Sequence, residues 1–331
     1  MRGNAARGQE RMVNKALPAG LLALSLVGCI NAPPAPQEKA AVPQQAPAPA
    51  KAAMATALAG QRGEGQPYEI VDSQVWDVPD PASGRRYQVV VGLPAGYADH
   101  PERRYPVLYV TDSDYAFPVV RQIARRLNGD GPAIKDFILV GLSYAVGDEP
   151  MPSRRRDYTP TLENGDTAPP NATHGGSTAY ASYLRQQVLP FIAGRYRTDE
   201  GKRLFLGHSY GGLLGTQILL STPQMFSGYL LGSPSYWYGE HATAAQEKRF
   251  AAVHTDAPAR VYMYVGEYEQ VRYNKQYDMV IDARNLVQTL RARRYPSLQL
   301  ELEVLNDEDH LSVAPRGITH GLKLLLGTKA P

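Results

Sequence analysis

The residues in this chain best suited to chemistry are Gly207-His208-Ser209-Tyr210-Gly211. A serine hydroxyl becomes a useful nucleophile when a base takes its proton and a third group orients that base, so the serine implies a histidine and a carboxylate elsewhere. The flanking glycines are what a sharp strand-to-helix turn needs. Side chains at Gly207 or Gly211 would collide with the neighbouring helix and strand, and the turn strains the backbone at Ser209 itself. The context agrees: Leu204-Phe205-Leu206 is an apolar run of the buried-strand kind, and Leu213, Leu214, Ile218 and Leu219 recur after it at helical spacing. Strand, turn and helix make the motif a nucleophile elbow. Its hydroxyl stands at the carboxyl edge of a sheet, and the Tyr210 amide, at the helix start, faces a developing oxyanion.

The partners are sought by their place in the chain. Among seven histidines, His310 lies beyond Ser209 in a loop that directly follows a strand, the alternating Leu298, Leu300, Leu302 and Val304. His208 sits inside the elbow and is expected to point away from the nucleophile, and His320 falls in the final helix. The acid is expected after the strand at 260–265, where Glu267 and Glu269 both qualify; Asp307 and Asp309 stand beside His310 as outsiders. A second oxyanion amide is expected in the loop after the third strand, Asp112-Ser113-Asp114-Tyr115, as the backbone N–H of Asp114 with its carboxylate turned away. These aspartates also suit the start of a helix near Tyr115. There is no His-Glu-x-x-His, and Asp307-Glu308-Asp309 reads as a solvated turn, so neither a metal nor another cofactor is expected.

Such residues need a rigid frame, and the hydrophobic pattern supplies one. Residues 68–78 and 87–92 are strand-like, and Asp80-Pro81-Ala82-Ser83-Gly84 between them has turn chemistry, which predicts an antiparallel hairpin. Buried strands are expected at 107–110, 137–142, 204–206, 229–231 and 260–265, and a last, alternating one at 298–304. Helices are expected through Val119, Ile123 and Leu127, over 178–196 with a kink or break at Pro190, after the elbow, over 283–293 and over 317–326. Residues 147–176 read as a long polar loop. Short apolar strands alternating with helices define an α/β protein with a mostly parallel, doubly wound sheet. The order serine, acid, histidine makes it an α/β-hydrolase fold in a single domain over 66–329.

Length and charge narrow the classes further. A chain of 331 residues can bury a substantial core. The net charge of +3 does not imply a nucleic-acid partner. Of 35 basic and 32 acidic residues, four basic and one acidic fall in 1–28, which leaves 31 of each sign for the rest. The surplus leads into an apolar run at 16–27, too short to span a bilayer as a finished helix and suited to a signal peptide. It closes on Leu26-Val27-Gly28-Cys29, which resembles the bacterial lipobox, and Met12 offers an alternative start. Cys29, the chain's one cysteine, is then the expected site of lipidation, and no disulfide can form within the chain. Residues 29–65, rich in Ala, Pro and Gln, read as a disordered tether. Ile30 is not the aspartate of an inner-membrane retention signal. The expected location is therefore the bacterial cell envelope, anchored in the outer membrane and facing the periplasm.

The motifs also carry a resemblance. Gly-His-Ser-Tyr-Gly-Gly, Arg-Asp-Tyr-Thr-Pro at 156–160, Gly-Ser-Pro-Ser-x-Trp at 232–237, Val-Gly-Glu-x-Glu at 265–269 and His-Leu-Ser-Val at 310–313 resemble, in this order, a family of serine esterases. That family includes the enterobactin, salmochelin and bacillibactin trilactone hydrolases, and the likeness covers about residues 66–328. The resemblance implies an ester hydrolase acting through an acyl-enzyme, with a siderophore lactone as the small-molecule substrate. It favours Glu269 over Glu267, because the family's acid stands three residues after the glycine that ends its strand. It implies anion binding by the arginines at 154–156, Arg156 among them, and an aromatic pocket wall from Tyr158 and Trp237. Ser113 departs from the family's Asp-Gly-Asp-like turn. The alternatives are an acyltransferase of the antigen 85 type, which the family resembles more distantly, and a binding lipoprotein with little turnover.

Overall fold

The computed structural model describes residues 65, 67–162, 169 and 171–328, with the backbone alone at Asn274. The expected signal segment, Cys29 and nearly all of the tether lie outside the described residues. The hairpin comes first: β1 (Ser73–Pro79) pairs antiparallel with β2 (Arg86–Gly92). Asp80 builds its turn, accepting from the Ala82 amide at 3.1 Å and the Ser83 hydroxyl at 2.5 Å, while Gly84 supplies a φ of 71°.

From there strands and helices alternate. β3 (Tyr105–Val110) is followed by α1 (Ser113–Leu127), β4 (Ile138–Leu142), α2 (Pro150–Tyr158), α3 (Ser177–Tyr183) and α4 (Leu189–Arg195). β5 (Thr198–His208) feeds α5 (Tyr210–Leu219), then come β6 (Gly228–Gly232), α6 (Tyr238–Val253) and β7 (Arg260–Gly266). The short α7 (Val271–Asn274), α8 (Met279–Arg293), β8 (Gln299–Leu305) and α9 (Ala314–Leu326) complete the domain. One sheet takes the order β1-β2-β4-β3-β5-β6-β7-β8, antiparallel through β2–β4 and parallel from there on. This is the α/β-hydrolase order, with the hairpin at its edge.

Side-chain alternation divides the core between the two sheet faces. Val107, Tyr109, Phe205, Tyr229, Leu231 and Met263 point to the face covered by α5 and α8. Leu108, Val110, Leu206, Leu230 and Tyr262 point to the face covered by α1 and α9. Both faces are apolar, which is why the central strands read as unbroken hydrophobic runs.

Four elements differ from the sequence expectation. The polar stretch at 147–176 contains α2, whose buried side is Ser153, Asp157 and Tyr158, so hydropathy periodicity does not reveal it. Pro150 begins this helix at a position where its missing N–H costs nothing. α6 enters through Gly239, Glu240 and His241, all with positive φ, and little apolar patterning marks it. The helix pair around Pro190 is joined by a π turn, Leu184–Val188. Proline cannot donate to the carbonyl four residues back and crowds it, and the widened turn relieves that conflict. The opening strand starts at Ser73, and Tyr68 is exposed.

Candidate active site

β5 ends in the elbow. Ser209 adopts φ 60°, ψ −118°, a strained conformation for a residue with a side chain, and its amide donates to the Gly232 carbonyl at 2.8 Å. A Cβ at Gly207 would lie 2.2 Å from the Gly211 carbonyl oxygen, and one at Gly211 would lie 2.3 Å from Thr111 Oγ1. Helix α5 and the loop after β3 therefore close on the serine from both sides, and the space exists because both residues are glycine.

The loops after β6, β7 and β8 supply the rest. Glu269 is buried, and its Oε1 accepts from the Ser233 hydroxyl at 2.5 Å and from the Gly266 amide at 2.7 Å. Its Oε2 stands 2.7 Å from His310 Nδ1. A carboxylate accepts there, so Nδ1 carries the proton and Nε2, 3.1 Å from Ser209 Oγ, is left to accept from the hydroxyl. Ser235 Oγ lies 3.3 Å from Ser209 Oγ. The structure thus brings Ser209, His310 and Glu269 into one hydrogen-bonded chain.

The other acids are occupied elsewhere. Glu267 Oε2 accepts from the Asp307 amide at 3.2 Å, and its Oε1 is 3.8 Å from Arg272. Asp307 accepts from the Tyr268 hydroxyl at 2.9 Å. Asp309 accepts the Leu311 and Ser312 amides at 2.8 and 2.9 Å, which shapes the His310 loop and holds its carboxyl below the usual range. His320 is 2.9 Å from Glu303, away from this group.

His208 faces His310. Its Nε2 is 3.0 Å from the His310 carbonyl, and the two rings lie 4.7 Å apart. Burial, with His310 and the Arg154 guanidinium nearby, pushes its pKa down to about 3, so the ring is neutral and Nε2 donates. A Cβ at Gly232 would fall 2.8 Å from His208 Nδ1 and 2.2 Å from the Tyr264 hydroxyl, so glycine makes room for both.

Two helix starts lie side by side next to Ser209, where a Cβ at Gly211 would meet both Thr111 and Asp112. Tyr210 opens α5, and Ser113 and Asp114 open α1 behind Asp112, which sits at φ 57°, ψ 54°. Amides in the first turn have no intrahelical acceptor. The Asp112 carboxylate is turned to Arg154 Nε and the Tyr144 hydroxyl, both at 2.8 Å.

The expected pocket residues divide. Arg156 is corrected to a scaffold role: its guanidinium donates to both oxygens of Asp157 at 2.8 Å, to Asp148 at 2.5 Å and to Ser153 at 3.2 Å. Tyr158 is likewise a packing residue, 1% exposed with its ring 5.5 Å from that of Tyr180, so it offers no pocket wall. Trp237 is half-buried, stacked on Tyr277 at 3.9 Å, with its ring 6.1 Å from that of Tyr210. Sequence reasoning missed the positions of Ser233, Ser235 and Tyr277. The first two lie in the Gly-Ser-Pro-Ser run after β6, where two hydroxyls beside a strand end were the available signal. Among the described residues no group of three His, Cys, Asp or Glu side chains is arranged to hold a metal ion, and no helix is long and apolar enough to cross a membrane.

With a serine after β5, an acid after β7 and a histidine after β8, the architecture is that of an α/β hydrolase. The chain belongs to the esterase family, whose model, described as "Putative esterase", matches residues 81–301. It is thus a hydrolase of the ester-cleaving class. Among curated relatives, the ferri-bacillibactin esterase BesA of Bacillus subtilis is 25% identical over 279 residues, 81% of this chain and 94% of its own. The siderophore enterobactin esterase of Emericella nidulans is 25% identical over 295 residues, 80% of this chain and 97% of its own. A crystal structure of the BES protein from Bacillus cereus superposes with a TM-score of 0.69 at 23% identity, covering 81% of this chain and 99% of that one.

Proposed function

We propose that the protein is a serine carboxylic-ester hydrolase that works through an acyl-enzyme on Ser209. The observation that carries this is the continuous chain from Ser209 Oγ through His310 to the buried Glu269. In the first step His310 Nε2 takes the hydroxyl proton as Oγ attacks the ester carbonyl, and Glu269 stabilises the imidazolium that forms. The amides of Tyr210 and Asp114 hold the oxyanion at two helix starts. His310 then protonates the leaving alkoxide. Water, deprotonated by the same imidazole, attacks the acyl-enzyme and releases the acid.

The substrate class we propose is a siderophore lactone. Two relatives that span most of this chain are esterases named for siderophores. Apolar side chains beside the site also remain exposed: Tyr115 next to Asp114 and Leu311 next to His310. Such a rim suits a bulky, partly aromatic ester. We further propose, from the sequence alone, that Cys29 carries a lipid anchoring the domain in the cell envelope; labelling with a radioactive fatty acid, absent in Cys29→Ala, tests it.

The enzyme assay compares a ferric trilactone siderophore with short p-nitrophenyl esters. Ser209→Ala is expected to lower kcat by at least about 10⁴-fold and Glu269→Gln by about 10³–10⁴-fold. Turnover that survives Ser209→Ala would remove the acyl-enzyme reading. Turnover of the small esters without the trilactone would remove the siderophore alone.

A further inference from the structure

We propose that Arg154 is a positioning residue of the oxyanion hole, a buried strut that holds the two loops bearing the anion-binding amides in register; this rests on the Ser209 reading above. The two amides come from different parts of the chain, Asp114 after β3 and Tyr210 after β5. The strands pair as far as Val110 with Leu206, and the Thr111 amide adds one more bond to the Leu206 carbonyl at 3.1 Å. Beyond that point the loops turn into separate helices, and a small splay between them would misplace both donors.

Arg154 bridges this gap from a third element, α2. Its Nε donates to Asp112 Oδ1 at 2.8 Å, and its Nη2 donates to the carbonyl of His208, the residue before the nucleophile, at 3.3 Å. Its guanidinium carbon lies 5.6 Å from the centre of the Tyr210 ring. One rigid planar group therefore touches the oxyanion loop, the elbow and the residue whose amide starts α5. Asp112 needs such support, because it holds a left-handed backbone without being glycine. The Tyr144 hydroxyl at 2.8 Å and the Thr111 hydroxyl at 3.2 Å complete its carboxylate. The Arg154 and Asp112 side chains are each 14% exposed. Burial alone would push the Arg154 pKa down, but Asp112, through charge and hydrogen bond, together with Tyr158 and Tyr144 holds it above the usual value, so Arg154 stays protonated. A guanidinium committed to these two acceptors differs from one held ready for an anionic substrate.

The distinction is measurable with the full chain. Arg154→Met, Arg154→Lys and Asp112→Asn are assayed on a neutral ester, p-nitrophenyl butyrate, and an anionic one, p-nitrophenyl hemisuccinate, and their labelling by a fluorophosphonate is timed. Positioning predicts that kcat falls about 10²-fold for Arg154→Met and Asp112→Asn, with KM within about threefold on both esters and labelling slowed in parallel. Arg154→Lys, which keeps the charge but not the fork, is expected to lose about tenfold. Arg154→Ala, a fourth variant, is expected to fall as far as Arg154→Met and to regain part of its activity when guanidinium is added. Unchanged kcat, or a KM increase confined to the anionic ester, would overturn the proposal, the second outcome making Arg154 a substrate-binding group. If Arg154→Met does not fold, Arg154→Lys and Asp112→Asn decide. Failure of the wild-type chain to label at Ser209 would instead overturn the reading on which the proposal rests.

Discussion

His208 shows how a residue beside Ser209 can help to place His310. As the last residue of β5 it cannot avoid the elbow, and its ring is used to hold the His310 carbonyl. The His310 side chain is fixed at Nδ1 by Glu269 and its backbone by His208, so the base has little freedom to turn from Ser209. The bond from His208 requires the neutral ring, and its depressed pKa keeps it neutral. The consequence for stability has a definite sign. Between the ordinary histidine value and about 3, the unfolded chain binds a proton that the folded ring refuses, so stability is present above about pH 6.5 and declines as pH falls toward 3. His208→Asn keeps an N–H donor and removes this titration. Between pH 6.5 and 4.5 the wild type is expected to lose about 1–2 kcal/mol more than His208→Asn, allowing for the residue's partial exposure. Urea unfolding at the two pH values checks this, and parallel losses would show that the ring titrates normally.

Among the elements, α2 connects the catalytic edge to the opening hairpin. Asp157 on its buried side receives the Tyr87 hydroxyl of β2 at 3.0 Å and both prongs of Arg156. Asp157→Ala leaves a largely buried guanidinium with Asp148 as its remaining acidic partner and removes an acceptor from Tyr87. Stability is expected to fall by about 3 kcal/mol, read as a lower urea midpoint at unchanged slope. A change below about 1 kcal/mol would make the pair incidental. The same helix shows where the sequence stops being legible. Val107, Leu108, Phe205 and Leu206 announce central strands because both sheet faces are apolar, and Ser209, His310 and the two glutamates can be placed by strand order. α2 buries Ser153 and Asp157 instead of leucines, so hydropathy reads it as a loop. The roles expected for Arg156 and Tyr158 fail to appear because residue type does not say whether a side chain meets solvent or another carboxylate. Strand order alone leaves Glu267 and Glu269 equal and the family resemblance favours Glu269; the turn after β7 separates them, one facing Arg272 and the other His310.

At the scale of the whole molecule, the site is a meeting of five strand ends, those of β3, β5, β6, β7 and β8, and its precision depends on how closely the loops after β7 and β8 pack. The Glu267 amide donates to the Leu305 carbonyl at 2.9 Å and the Tyr268 amide to the Glu308 carbonyl at 3.0 Å, which ties the acid's loop to the base's loop. Gly266 makes that closeness possible. A Cβ there would sit 2.4 Å from the Glu308 carbonyl oxygen and 3.1 Å from Glu269 Oε1. Its backbone is not in the left-handed region, so the cost of Gly266→Ala lies in displacement and not in φ. The obstructing atom is backbone, and the loop can yield only by moving Glu308, two residues before His310. Shifts of this size in a catalytic base cost about 10²-fold in rate. Gly266→Ala is therefore expected to lower kcat by about that factor while the protein stays folded, because the strands beneath the loops keep their register. Steady-state kinetics beside a melting curve test this. A variant with wild-type kcat would mean that the loops slide apart without carrying His310 with them, and that Glu269 and His208 suffice to hold it in place.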